Sequence, residues 1–336
     1  MSAGIACYPH ADFKKSEILI NCRKALLHSA FFGSGSITAF DAVSLNVSGD
    51  IYYSDGDLPS AVREYRRGLV CEPGNVNLLN SLGVSYAMMN KHSLARESFK
   101  KALAIDPENC MSLYNLGLEE VLRSNISRGL QCFEKALSAH VDDDGPEVKR
   151  DLQFQLAKLY CGLQEFDKAL ELLTQWYEAC KSSQSGGHAL RYLGEACFGL
   201  GKKSEAMVWL QKALRFNEFD HEALSLLGLV YLEEGEGKDI ALALCQKSVE
   251  LSPADRRTRL RLAKVQTDCN LFAEARENLV KCRGNKHIQM ERQFLMGRNC
   301  LKMGKRKQAN YWFTKVLQQE NIPPEMLHEI HAAIEN

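Results

Sequence analysis

Residues 76–109 and the 34 residues before them carry the same residue types at the same intervals. In the stretch from Val76 to Asn109, Leu79, Leu82, Gly83, Tyr86, Ala95, Phe99, Ala102 and Pro107 fall at positions 4, 7, 8, 11, 20, 24, 27 and 32 of the unit. The preceding unit places Gly49, Tyr52, Ala61, Tyr65 and Pro73 in that register, with Gly68 where alanine is usual. This spacing predicts two antiparallel helices per unit. Small residues at 8, 20 and 27 let the helices approach closely, and large residues at 4, 7, 11 and 24 fill the space between units. Proline at 32 cannot extend the second helix and pushes its predecessor out of helical geometry, so it marks the unit boundary. A single unit cannot bury its own apolar face, and neighbours must stack.

The pattern resembles the tetratricopeptide repeat (TPR), and the resemblance covers residues 42–323. It implies an all-α fold, a right-handed TPR superhelix of about eight helix-turn-helix repeats with a short N-terminal strand-helix segment ahead of it. The units run 42–75, 76–109, 110–143, 150–183, 187–220, 221–255, 256–289 and 290–323, with 324–336 as a C-terminal capping helix and 1–41 outside the repeat. The third is degraded, with Gly129 at position 20 and Val141 at the proline site. The fourth puts Trp176 where alanine is expected, and the sixth has one extra residue in its Gly235-Glu236-Gly237 turn. The loosest joints are expected at the acidic insertion Asp144 to Lys149 and the spacer Gln184 to Gly187, where protease should cut first. A composition of 45% hydrophobic and 25% charged residues suits a soluble helical protein.

Residues 1–41 read differently. Gly4-Ile5-Ala6-Cys7-Tyr8-Pro9 predicts a short strand ended by proline, and Ser16 to Ala30 a helix with Ile18, Leu19, Cys22, Ala25 and Leu26 on one side. Residues 4–30 resemble the closing strand and helix of a GGDEF-type (diguanylate cyclase) domain, G-[IV]-A-x-[YF]-P followed by a helix ending A-D-x-A-L-Y-x-A-K. Ala25 and Leu26 are kept, while Arg23, Leu27 and Ala30 replace the acidic, tyrosine and lysine positions. The loop that names that family, with its metal-binding carboxylates, does not occur, so cyclase activity does not carry over. The segment is either such a remnant, with Ile5, Tyr8 and Phe13 exposed for another chain, or a cap for the first repeat.

No catalytic signature is present: neither G-x-x-x-x-G-K-[ST], nor G-x-S-x-G, nor H-E-x-x-H. His328 and His331, with Glu325 and Glu329, share a C-terminal helix whose other side is apolar, which reads as a polar-faced cap rather than a metal site. Twelve cysteines include no C-x-x-C, and Cys132, Cys197 and Cys245 sit beside apolar residues on predicted helices. Reduced, partly buried thiols follow, which favours the cytoplasm. No stretch is apolar enough to span a membrane. No enzyme activity, cofactor, metal or membrane association is expected.

Function in a TPR protein resides on the concave face, where by resemblance positions 2, 5, 9, 12 and 13 point. The expected peptide-binding groove comprises Asn46, Asn77, Asn80, Tyr114, Phe154, Lys158 and Arg191. Asparagine amides can pair with an extended peptide's backbone, and Tyr114 and Arg191 are the expected hot spots. The family's carboxylate clamp needs lysine and asparagine at positions 5 and 9 of its first repeat. Asn46 and Asp50 stand there, and the aspartate would repel a terminal carboxylate. The charge is zero overall, yet Asp255 to Lys307 holds fifteen basic against five acidic residues. Arg256, Arg257, Arg261, Lys264, Arg298 and Lys302 form the candidate basic patch for an acidic partner. Aromatics are sparse there, which disfavours nucleic acid. The expected function is a scaffold binding a protein or peptide. Alternatives are the regulatory or dimerising arm of a cyclic-di-nucleotide signalling protein, self-associating through the N-terminal segment, and an adaptor using the basic end. The repeat frame itself is testable: Ala95→Leu is expected to destabilise by about 1 to 3 kcal/mol, because a close helix contact has no room for three further carbons. An unchanged melting temperature would mean that the frame is misplaced.

Overall fold

The computed structural model describes residues 1–139, 146–180, 187–235, 237–282, 284, 286–319 and 322–335. Asp144 and Gly145 of the acidic insertion, the spacer 184–186, Val141 and Glu236 lie outside the described residues, while residues 146–149 already belong to a helix. The chain is all-α apart from two short strands and divides into two compact units, Met1–Leu159 and Tyr160–Asn336.

After β1 (Ala3–Ile5), α1 (Ile18–Ser29) and β2 (Ile37–Ala39), the helices run in pairs. These are α2 and α3 (Ala42–Ser54, Leu58–Cys71), α4 and α5 (Val76–Met88, His92–Ile105), and α6 and α7 (Cys110–Leu122, Ile126–Ser138). Next come α8 and α9 (Pro146–Gly162, Phe166–Cys180), α10 and α11 (Gly187–Gly199, Lys203–Phe216), and α12 and α13 (His221–Glu233, Lys238–Leu251). Finally α14 and α15 (Arg256–Asp268, Phe272–Lys281) and α16 and α17 (Lys286–Lys302, Arg306–Leu317) precede α18 (Pro324–Glu335). Helices α8 and α16 start four residues ahead of the 150 and 290 expected from the repeat, α8 at a proline whose fixed φ suits the first helical position.

Three local devices recur. Asp41, Asn75, Asn109, Asp220 and Asp255 cap the first helix of a pair, each accepting the backbone N–H of the third residue on. Between first and second helix the chain turns through a left-handed residue at position 15, Gly56, Gly201, Gly235 and Gly304, or Asn90, Ser124, Gln164 and Asn270, and the sixth turn adds a second, Gly237. Inside the pair, the residue at position 24 lies on the glycine at position 8. A Cβ on Gly49, Gly83, Gly117 or Gly297 would stand 2.3, 2.4, 2.6 or 2.4 Å from the ring of Tyr65, Phe99, Phe133 or Phe313 respectively. Trp176, where alanine was expected, is buried, so the fourth pair accommodates a larger side chain at that position.

Residues 1–41 form a β-α-β unit. The two strands are parallel, pairing Ala3 with Ile37, Gly4 with Thr38 and Ile5 with Ala39, so the Gly4 strand has a partner that the sequence did not announce. Gly4 lies directly on α1, where a Cβ would come within 2.1 Å of the Cys22 carbonyl oxygen. The buried side of α1 corrects the apolar one expected. Asn21, Lys24, Ala25, His28 and Ser29 are buried, while Leu19 is 82% exposed and Ile20, Leu26 and Leu27 also face solvent. The reason is polar pairing with the first repeat: Lys24 meets Glu64 of α3, both nearly fully buried, and His28 Nδ1 lies 3.2 Å from Ser44 Oγ of α2. Arg67 adds a 2.7 Å bond to Glu17 and sits 4.2 Å over the Phe13 ring. Phe13 is therefore buried, not exposed as expected, whereas Ile5 and Tyr8 are exposed.

Breaking a buried ion pair by removing one partner strands a charge. Glu64→Ala should lower the stability of the N-terminal unit by about 3 to 5 kcal/mol, whereas Lys24→Met with Glu64→Leu should change it far less. Urea unfolding of the full chain measures both, and equal effects would show that the pair is held no more tightly than surface charges.

Candidate functional site

The first helices of the first three pairs share one cavity of about 340 Å³. Helix α2 contributes Asn46, Asp50 and Tyr53, α4 contributes Asn77, Asn80, Ser81 and Val84, and α6 contributes Met111 and Asn115. Tyr65 reaches into it from α3. Three of the expected groove residues, Asn46, Asn77 and Asn80, are thus brought together. The set also includes residues that sequence reading passed over: Tyr53, Tyr65, Ser81, Val84 and Asn115. Ser81 and Asn115 occupy position 6, one beyond the positions taken from the family pattern.

Position 6 matters because it pairs across repeats. Asn115 donates its amide to Asn80 Oδ1 at 3.2 Å, joining position 5 of one unit to position 6 of the next. Tyr114 is hydrogen-bonded to Gln155 in the same relation, and in the second unit Arg261 Nη1 donates to Ser225 Oγ at 2.9 Å. Each pair holds a polar side chain in place between neighbouring repeats.

At the cavity's α2 end, Asp50 accepts the Tyr65 hydroxyl on Oδ1 at 2.7 Å and the Asn46 amide on Oδ2 at 3.1 Å. Asn46 Oδ1 is buried without a partner. Burial pushes the Asp50 carboxyl above its ordinary range, with the tyrosine hydrogen bond opposing in part. The phenol of Tyr65 is pushed up in turn, by burial and then by its bond to Asp50.

The remaining expected groove residues lie elsewhere. Tyr114 stacks at 5.8 Å on buried Phe133, so it supports the fold as well as any ligand. Lys158 stands 5.6 Å over the Phe154 ring and donates to Gln155 Oε1 at 3.3 Å, which gathers Tyr114, Phe154 and Lys158 around one glutamine. Arg191 belongs to the second unit and is engaged: it pairs with Asp220 at 3.4 Å and with Glu222, and lies 4.4 Å over Tyr192.

The basic patch is largely neutralised. Lys264 pairs with Glu233 at 3.1 Å, Arg298 with Asp268 at 3.3 Å and Glu329 at 2.7 Å, and Lys302 with Asp268. Glu233 and Glu329 fall outside the stretch over which charge was counted, so the count overstates the field. Arg261 is drawn into the protein, and desolvation lowers its pKa. Arg256 and Arg257 remain exposed. His328 and His331 are exposed as well, and their neighbour Glu329 is taken by Arg298. Sequence reading missed one cluster, His221, Glu222 and Asp255, whose ligand atoms lie within 4.8 Å of one another; its Glu222 is occupied by Arg191. No disulfide joins the cysteines among the described residues, and burial raises Cys161 and Cys245 to about 12, which makes them poor nucleophiles. No helix among the described residues is long and apolar enough to cross a membrane.

Comparison with known proteins agrees with this architecture. Residues 76–109 and 154–221 each match a model of the tetratricopeptide repeat, and the chain carries TPR repeats in an all-α TPR fold. Among solved structures, it is similar to pilF of Pseudomonas aeruginosa, with 17% identity over 68% of this chain and 97% of that one, at a TM-score of 0.54. It is also similar to a chain of the APC/C hetero-tetramer Cut9–Hcn1, with 16% identity over 67% of this chain and 43% of that one, at a TM-score of 0.50. At such identities the likeness concerns the fold alone. No curated protein matches the sequence. Neither repeat model reaches residues 1–41, and the GGDEF-type resemblance finds no support.

The strained carboxylate gives a signed prediction. A folded-state pKa above the ordinary 3.8 means that ionised Asp50 destabilises the fold at neutral pH, and that stability is regained as pH falls through the window just above 3.8. Asp50→Asn should therefore melt higher than wild type at pH 7, with the gap closing toward pH 4. Thermal melts across that range decide it; a variant that melts lower at every pH would make Asp50 a structural anchor.

Proposed function

We propose that this chain is an interaction scaffold that holds an extended segment of another protein along the side lined by α2, α4 and α6. One observation carries the reading: four asparagines from three successive first helices converge on a single open cavity whose walls are amides, hydroxyls, one carboxylate and a few apolar groups. Such walls match a peptide, whose backbone offers N–H and C=O groups at regular intervals and whose side chains need only shallow recesses. Asn77 is exposed and Asn80 is held by Asn115, so the first is free to adapt and the second is set in orientation. TPR repeats are typically non-catalytic, which suits a scaffold without chemistry of its own. Cysteines that are mostly buried and joined by no disulfide among the described residues favour a reducing compartment, the cytoplasm.

The test uses peptides selected from a randomised capped library by the full chain. Asn77→Ala with Asn80→Ala removes two neutral hydrogen-bonding groups and should weaken the selected peptides roughly tenfold, at about 0.5 to 1.5 kcal/mol each, with little change in melting temperature. Tyr114→Ala and Arg191→Ala are blunter probes, because both side chains also hold the fold. Unchanged affinity in the asparagine variant, with loss on reversing Arg257, would move the ligand to the basic end.

A further inference from the structure

The cavity between α2, α4 and α6 contains one carboxylate and nothing to balance it. Among the described residues, Asp50 is the only acidic one in its walls, and no lysine, arginine or histidine lines them. The two groups that hold Asp50, the Tyr65 hydroxyl and the Asn46 amide, are neutral donors, so they aim the carboxylate and leave its charge in place. A carboxylate presents about four acceptor directions, and these two bonds use only half of them. The same walls carry apolar Val84 of α4 and Met111 of α6, the latter partly open to solvent, and Tyr53 one helical turn from Asp50 on α2.

We infer that this cavity receives a lysine or arginine side chain from the bound peptide, its methylenes lying on Val84 and Met111 and its cationic head on the open side of Asp50. The inference rests on the groove function proposed above and adds what the groove selects. Charge complementarity decides among occupants. An acidic side chain or a terminal carboxylate would meet Asp50 head on, and a purely apolar one would cover the charge without pairing it. A long amphipathic cation satisfies both halves of the recess, because its stem is apolar and its tip charged. Tyr53 adds a negative ring face near the same tip. Asn77 and Asn80 would then grip the peptide backbone beside the anchor, so that the buried cation fixes register and the amides supply sequence-independent hold.

The experiment selects capped peptides from a randomised library with full-length wild-type protein and measures each by fluorescence anisotropy. The selected peptides should share one basic position, and replacing that residue by norleucine, which keeps the stem and deletes the charge, should weaken binding roughly tenfold, between the values typical of exposed and buried charge pairs. Asp50→Asn should still bind the peptides but no longer distinguish lysine from norleucine. Asp50→Lys, a second variant at a solvent-facing position, should invert the preference toward glutamate at that site. Melting temperatures confirm that both variants are folded. Selected peptides without a basic position, or a lysine-to-norleucine ratio unchanged in Asp50→Asn, would overturn the cation site while leaving the groove intact if Asn77→Ala with Asn80→Ala still weakens binding. If the asparagine variant binds as well as wild type, or if no peptide is selected, the groove reading falls and this inference falls with it.

Discussion

Everything in this molecule hangs on the contact between position 8 and position 24 of each helix pair. A ring, a leucine or, in the sixth pair, Cys245 lies where a side chain on the first helix would otherwise be, so the two backbones come close enough for the pair to act as one packed element. Tyr65, Phe99, Phe133, Leu210, Cys245, Leu279 and Phe313 are all buried at this site, opposite glycine or alanine. The tolerance is narrow, because an interior packed at crystal density cannot absorb an added carbon without moving a rigid ring. The left-handed residue at position 15 and the Asx caps before five of the first helices serve the same end, setting where helices stop and start so that 8 meets 24.

Once that contact consumes one side of each first helix, the other side is left polar. Its side chains are too short to reach another layer, and they pair sideways instead, from position 5 of one repeat to position 6 of the next. The resulting surface is orderly but unsaturated. In the first unit it closes around Asp50, whose charge is stabilised only by neutral donors; in the second it is crossed by ion pairs such as Lys264 to Glu233, which leave little net field. The two units thus offer different chemistry from one repeat plan.

The N-terminal segment inverts the usual arrangement. Its helix turns polar residues inward, because Glu64 and Ser44 of the first pair supply partners for Lys24 and His28, and it leaves leucine and isoleucine on the outside. Satisfied buried polar groups can outweigh the loss of apolar burial when each has a specific partner, and here the partners belong to a neighbouring element in space.

How much of this could be read from the residues alone follows from the range of each interaction. The eight helix pairs, their turns and the small residues at 8 and 20 were legible because they are enforced within a span of 34 residues, by sterics that any sequence with this spacing must obey. The convergence of Asn46, Asn77 and Asn80 was legible for the same reason, since equivalent positions on successive units face the same way. The buried face of α1, the strand pairing of Gly4 with Thr38, the neutralisation of Arg298 by Glu329 and the isolation of Asp50 were not. Each depends on which side chain from a distant part of the chain stands opposite, and a periodic pattern carries no information about partners that do not repeat. Local spacing determined the architecture; only the tertiary structure decided which charges are balanced by a neighbour and which, like that of Asp50, are held by neutral donors alone.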